Sequence, residues 1–188
     1  ESNYQLEAIY KTEDAGISWN TIPIDEDING LSGTALGGFG WYFGKIRVNP
    51  NDPNDIYLLG VDLWRTLDAG ENWDRATPPW WTYDVHADKH DLTFLGDGGV
   101  LLATDGGLYK SDANNDLWED IENIPTTQLY RVAYNPHQPD LYYGGAQDNG
   151  SMGGNAAEIN NWARIFGGDG FQMAFDPDNS DRFFVETQ

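Results

Sequence analysis

Residues 11–19 read KTEDAGISW, and residues 65–73 read RTLDAGENW. The shared pattern, T-x-D-A-G-x-x-W, has a local meaning. The carboxylate accepts bonds from turn amides, the glycine admits a positive φ, and the tryptophan packs beneath a hairpin. The residues concerned are Thr12, Asp14, Gly16 and Trp19 in the first copy, and Thr66, Asp68, Gly70 and Trp73 in the second. A third stretch, SDANNDLW (111–118), keeps Ser111 and Trp118 but has Ala113 and Asn115 where the acid and the glycine belong. With Trp162, the tryptophans recur roughly every 45 residues, the period of a repeat architecture.

A second marker repeats between them: KIRVNPNDPNDIYLLG (45–60), RVAYNPHQPDLYYGG (131–145) and QMAFDPDNSDRFFVE (172–186). Each reads as strand, Asn/Asp-Pro turn, strand, with apolar residues alternating at period two (Ile46 and Val48, Val132 and Tyr134, Met173 and Phe175). DLTFLGDGGVLLATDGGLYKS (91–111) is the same unit with a Gly-rich turn, and no helical pattern competes. Four antiparallel strands in each unit predict an all-β fold, a β-propeller with four-stranded blades. The whole chain, 1–188, reads as one propeller domain seen as a partial ring. Its segments are the end of a blade (1–23), three blades (41–77, 84–122 and 129–166) and the start of another (170–188). The expectation is a fragment of a longer chain, with the remainder of the propeller or a partner chain closing the ring.

Composition narrows the partners. Acidic residues outnumber basic ones 31 to 10, and the net charge of −21 repels phosphate backbones and anionic lipid surfaces. Nucleic acid is therefore excluded as a partner. No apolar run approaches the ~20 residues of a spanning helix, so membrane insertion is not expected. The chain has no Cys, which removes disulfides and thiolate metal sites.

The two full T-x-D-A-G-x-x-W copies resemble the Asp-box, or BNR, repeat of sialidases, sortilin-type receptors and xyloglucanase-like propellers. VHADKHDLTF, ATDGGLYKS, YYGGAQDNGS and FGGDGFQMAFDP, spread over residues 85–177, are similar to segments of large secreted bacterial propellers of the xyloglucanase and sortilin groups. The resemblance implies an extracellular or cell-surface location, on a bacterial outer surface. It also implies that the boxes lie on the blade periphery, away from the central site, so they speak to fold and not to chemistry.

Chemistry is sought in two other constellations. In DVHADKHD (84–91), Asp84, His86, Asp88 and His90 alternate with Val85, Ala87 and Lys89. On a strand they share one face, and convergence on one point needs a loop. The segment reads as a hydrogen-bonded structural cluster, a ligand contact, or a divalent-cation site centred on His86 and His90. No cofactor is otherwise expected. The resemblance places this segment on the central face, and Asp105, Gln147, Asp148 and Asp169 join it as residues that follow strands at comparable repeat positions. Their Asp-Gly and Asp-Asn-Gly steps are equally the chemistry of tight turns. The second constellation is aromatic. Trp41 and Tyr42 in GGFGWYFG (37–44), with Trp80 and Trp81 in TPPWWTYD (77–84), form either a sugar-stacking platform or packing between blades.

A glycosidase needs two carboxylates at a set separation, and neither the xyloglucanase-type catalytic Asp motifs nor the sialidase Arg triad is recognisable. Nucleophile-elbow, P-loop, dinucleotide and H-E-x-x-H motifs are also missing. The leading expectation is a noncatalytic propeller that binds a glycan or protein ligand. The alternatives are part of a xyloglucanase-like glycoside hydrolase, and a cargo or component of a bacterial outer-surface secretion or adhesion apparatus.

Overall fold

The computed structural model describes residues 4–124, 126–158 and 161–187. The chain divides into two compact units, 1–121 and 122–188.

The first unit opens with a hairpin, β1 (Ile9–Lys11) and β2 (Asn20–Ile22), whose turn is the first T-x-D-A-G-x-x-W copy. A four-residue helix, α1 (Glu26–Asn29), follows. It was not anticipated, although its caps are visible in the sequence: the Asp25 carboxylate accepts from the Asp27 N–H, and Gly30 closes the turn in the left-handed region. Two four-stranded antiparallel meanders complete the unit. One comprises β3 (Lys45–Asn49), β4 (Asp52–Leu59), β5 (Leu63–Thr66) and β6 (Asp74–Arg75), and the other β7 (Lys89–Phe94), β8 (Val100–Thr104), β9 (Gly107–Ser111) and β10 (Trp118–Asp120).

Strand β4 shows why its apolar run is continuous. Ile56 and Leu58 pack with Ile9, Ile22, Leu31 and Trp73, whereas Tyr57 and Leu59 pack with Val85, Leu92, Val100 and Leu102. Successive side chains point to opposite faces, and a strand covered on both faces has no polar side to show. Each fully buried side chain of this size contributes about 1.5–3 kcal/mol relative to exposure. The outer meander strand β3 behaves differently. Its apolar residues Ile46 and Val48 are exposed, while Arg47 is half-buried and pairs with Asp91 of β7 (2.7 Å). The alternation thus marks a strand without marking the buried face.

A polar staple joins the two meanders. Arg65 grips Asp55 through Nε and Nη2 (2.8 and 3.1 Å), and its Nη1 reaches Asn115 Oδ1 (2.8 Å) and the Ala113 carbonyl (2.9 Å). The Tyr57 hydroxyl donates to the same Asn115 oxygen (2.8 Å). Burial pushes the Tyr57 phenol up to about 12.

The second unit holds a third meander, β11 (Arg131–Ala133), β12 (Tyr142–Ala146), β13 (Gly150–Gly154) and β14 (Ala163–Phe166). A hairpin, β15 (Met173–Phe175) and β16 (Phe183–Val185), completes it. Tyr143 packs on Phe175 with ring centroids 4.6 Å apart, and His137 Nε2 lies 2.9 Å from the Asp176 carbonyl.

Repeated four-stranded antiparallel meanders are the blades of a β-propeller, the fold class that the sequence implied. In a meander the first and third turns lie at one end of the sheet, with the second turn and the exit at the other. The T-x-D-A-G turn between β5 and β6 is a third turn. The β4–β5 turn (60–62) and the connection from β6 to β7 (76–88) therefore meet at the opposite end, and the candidate site lies there.

Candidate functional site

The box residues build turns. Thr12 Oγ1 donates to Asp14 Oδ1 (2.9 Å) and accepts from the Gly16 N–H (2.8 Å), and Asp14 accepts from the Ser18 N–H (2.8 Å) and hydroxyl (2.6 Å). Thr66, Asp68, Gly70 and Asn72 repeat the arrangement. In the third turn Asp112, one position earlier than usual, caps the Leu117 N–H (3.0 Å), and Asn115 occupies the glycine position at φ 65° while bonding Ser111 (2.9 Å). Trp73 is buried and Trp118 half-buried, its Nε1 donating to the Ala76 carbonyl (3.0 Å). Trp19 departs from expectation: it is 58% exposed, although Ile9 and Ile22 of the same hairpin are buried.

At the opposite end of the β3–β6 sheet is a cavity of about 190 Å³, walled by Trp64, Trp80 and Trp81 and edged by Glu26, Asp62 and Arg75. It is smaller than the roughly 300 Å³ at which ligand pockets usually begin, so it suits one ring of a larger ligand. Trp64 and Arg75 are register partners on β5 and β6. The Arg75 guanidinium lies 5.1 Å from the Trp64 ring and 5.2 Å from the Trp81 ring, and Nε pairs with Asp62 (3.1 Å). Asp62 also accepts from the Trp80 N–H (3.2 Å), which fixes the short 3-10 turn Trp80–Thr82. Trp80 and Trp81 meet edge to face at 5.8 Å and remain 43% and 53% exposed. The sequence pointed to Trp80 and Trp81 but not to Trp64, Arg75, Asp62 or Glu26. Asp62 was detectable in principle, since it occupies the second turn of its sheet as Asp105 and Asp148 do in theirs.

The His/Asp segment adjoins this cavity through the β4–β5 turn. Asp88 N–H donates to the Val61 carbonyl (3.2 Å) and Lys89 N–H to the Gly60 carbonyl (2.8 Å). The single-strand expectation is corrected here. Strand β7 begins at Lys89, so Asp84, His86 and Asp88 lie in the connection, with Asp88 at φ 62°. The loop carries Asp88 to within 4.8 Å of Asp105, carboxylate oxygen to oxygen, while His90 on β7 bonds Asp105 through Nε2. His86 lies over Gly106, where a Cβ would fall 2.4 Å from the ring. Asp84 is exposed and makes no bond to this group among the described residues. Burial, and then the neighbouring Asp105, push the Asp88 carboxyl up. Lys89 is 1% exposed, its ammonium donates to the His86 carbonyl, and burial lowers it to about 8. Tyr42 and Phe43 flank the His90 ring at 5.7 and 5.9 Å. Trp41 is exposed and packs on Tyr42 (5.5 Å), and neither residue lines the cavity.

In the second unit, Asp148 sits at φ 58° in the β12–β13 turn, and its N–H donates to Asp169 Oδ1 (2.8 Å). Gln147 accepts from the Tyr130 hydroxyl. Asp148 and Asp169 are thus joined by a turn-to-loop bond, and Gln147 is bonded to Tyr130 instead.

No protein-family model matches the chain, and no curated protein sequence does. Among solved structures, it is similar to a GH74 enzyme of Niastella koreensis (18% identity, TM-score 0.43, covering 96% of this chain and 30% of that one). It is also similar to YCF48 from Cyanidioschyzon merolae (16%, TM-score 0.42, 89% and 53%) and to the GH74 xyloglucanase from Xanthomonas campestris (16%, TM-score 0.37, 95% and 25%). The chain spans about a quarter to a half of the length of these proteins. Identities this low say nothing of chemistry. Among the described residues no helix is long and apolar enough to cross a membrane.

Proposed function

We propose that the chain is the glycan-binding portion of an extracellular propeller scaffolded by Asp-box hairpins, with further blades completing the ring. The observation that carries this reading is the cavity of three tryptophans held by the Arg75–Asp62 pair. Indole faces stack on the apolar faces of pyranose rings, and a polar edge fixes their orientation. Here the hydroxyls of Ser32 and Thr34 and the carboxylate of Glu26 supply that edge. The charge of −21 disfavours polyanionic glycans. Titration with neutral β-1,4-linked oligosaccharides, followed by tryptophan fluorescence, tests the reading. Saturable quenching that Trp81→Ala weakens at least roughly tenfold supports it. No response to any oligosaccharide of a broad panel overturns it.

A glycoside hydrolase is the second reading, favoured by the neighbouring Asp88 and Asp105 carboxylates, whose oxygens come within 4.8 Å of each other, since that chemistry needs a pair of acids. The raised Asp88 is the acid in that scheme, and Asp105, held by His90, the second carboxylate. Reducing ends released by the protein and lost in Asp88→Asn would establish it. Binding without release leaves the noncatalytic reading in place.

A further inference from the structure

The charges around the cavity do not balance. Asp62 is committed to Arg75, and Arg75 is itself held between Trp64 and Trp81. Glu26, exposed at the start of α1, lines the same cavity, and its carboxylate has no hydrogen-bond or ion-pair partner among the described residues. The other cations of this unit are occupied. Lys45 and Arg47 serve Asp91, Arg65 serves Asp55, Lys110 serves Asp97, Lys11 serves Glu13, and Lys89 is buried. The cavity therefore presents one uncompensated carboxylate beside the Trp80 ring, whose face is itself attractive to cations, while Arg75 lies over Trp64 and Trp81.

From this imbalance we infer that Glu26 is a specificity-determining residue and that the cavity selects a sugar carrying an ammonium group, an amino sugar, over its neutral counterpart. The inference rests on the glycan-binding reading above and adds the charge class of the ligand. A hydroxyl gives the Glu26 carboxylate a hydrogen bond with one charged partner, whereas an ammonium brings an opposite charge as well and so adds a coulombic attraction. The protein's overall negative field adds to the preference at low salt. Arg75 does not cancel it, because its guanidinium is directed to Asp62.

The test compares three oligosaccharides of one length and one linkage, built from glucose, glucosamine or N-acetylglucosamine, at about pH 6, where the amine is charged. The glucosamine oligomer is expected to bind roughly two- to fivefold tighter than the other two, the gain shrinking as salt is added. Glu26→Gln should abolish the difference, weakening the glucosamine oligomer more than the glucose oligomer, and Glu26→Asp should retain part of it. Because Glu26 is exposed, neither variant threatens the fold. Equal affinity for all three oligomers overturns the charge assignment and leaves glycan binding standing. Failure of all three overturns both. A lysine-containing peptide that binds tighter than the glucosamine oligomer, and loses that advantage in Glu26→Gln, would transfer the site to a protein ligand and overturn the amino-sugar assignment.

Discussion

The β1–β2 and β5–β6 turns share a pattern and a set of bonds, yet their tryptophans have opposite fates. Each turn has a threonine hydroxyl that donates to the aspartate and accepts from the glycine N–H, and an Ala-Gly pair at positive φ (59° and 90°, 60° and 101°). Trp19 is nonetheless 58% exposed and Trp73 3%. The second turn is covered: Asn29 accepts the Trp73 N–H (2.8 Å) and Ile22 packs against Gly70, whereas the first has no such cover among the described residues. Eight residues thus specify a turn through bonds among themselves. Whether the tryptophan is buried depends on what lies over it, and the motif does not contain that information.

The sharpest way to break this comparison is to truncate each tryptophan. Trp73→Ala should cost about 3–5 kcal/mol of unfolding free energy in urea titration, and Trp19→Ala less than about 0.5 kcal/mol. Similar losses at the two sites would mean that the motif stabilises through the ring itself rather than through its burial.

A smaller effect separates the glycines. Gly16→Ala and Gly70→Ala each force a side chain into left-handed backbone, at about 1–2 kcal/mol. At Gly70 the new Cβ would also sit 2.7 Å from Ile22 Cδ1, against an ordinary 3.8 Å contact with Trp19 at Gly16. Gly70→Ala should therefore be the more destabilising by about 1 kcal/mol in the same urea titration. Equal costs would show that Ile22 yields freely.

The third turn sharpens the comparison from the other side. Asn115→Gly returns the consensus residue to a positive-φ position, which by local conformation alone should stabilise. It also removes the acceptor shared by Arg65 and Tyr57. A net loss of about 1 kcal/mol in thermal or urea unfolding is expected, since leaving partly buried donors unpaired outweighs the relief of strain. A net gain would mean that the staple between the two meanders contributes little.

Legibility followed the same division. The hairpins were readable because their determinants are local: Pro and Asn/Asp steps, period-two alternation, and the bonds of Thr12 with Asp14 and Thr66 with Asp68. Facing was not, as the exposed Ile46 and half-buried Arg47 show, because the choice depends on Asp91 in another sheet. At the candidate site Trp80 and Trp81 stood out as an adjacent pair in a Pro-flanked loop. Trp64 and Arg75 looked like ordinary strand residues, and only their register brings them together. Helix α1, which carries Glu26, is four residues long, too short for any periodicity to register.

The smallest effect expected is a difference in titration between the two box aspartates. At Asp14 the Ser18 hydroxyl, the Ser18 N–H and the Thr12 hydroxyl bond the ionised form and lower the carboxyl to about 2. At Asp68 burial opposes ionisation, and the bonds from Asn72 and Thr66 overcome it, so that carboxyl is also lowered. A folded-state value below the unfolded one means that the stabilisation is complete above the ordinary carboxylate range of about 4 and is lost as pH falls through the folded value. Carboxyl carbon shifts followed by NMR during acidification should place the Asp14 midpoint near 2. Asp14→Asn should remove its share of the acid-limb slope in stability against pH. If Asp14 instead titrates in the ordinary range, the bonds drawn for the exposed turn are not held in solution, and the covered turn owes its order to Ile22 and Asn29 rather than to the motif.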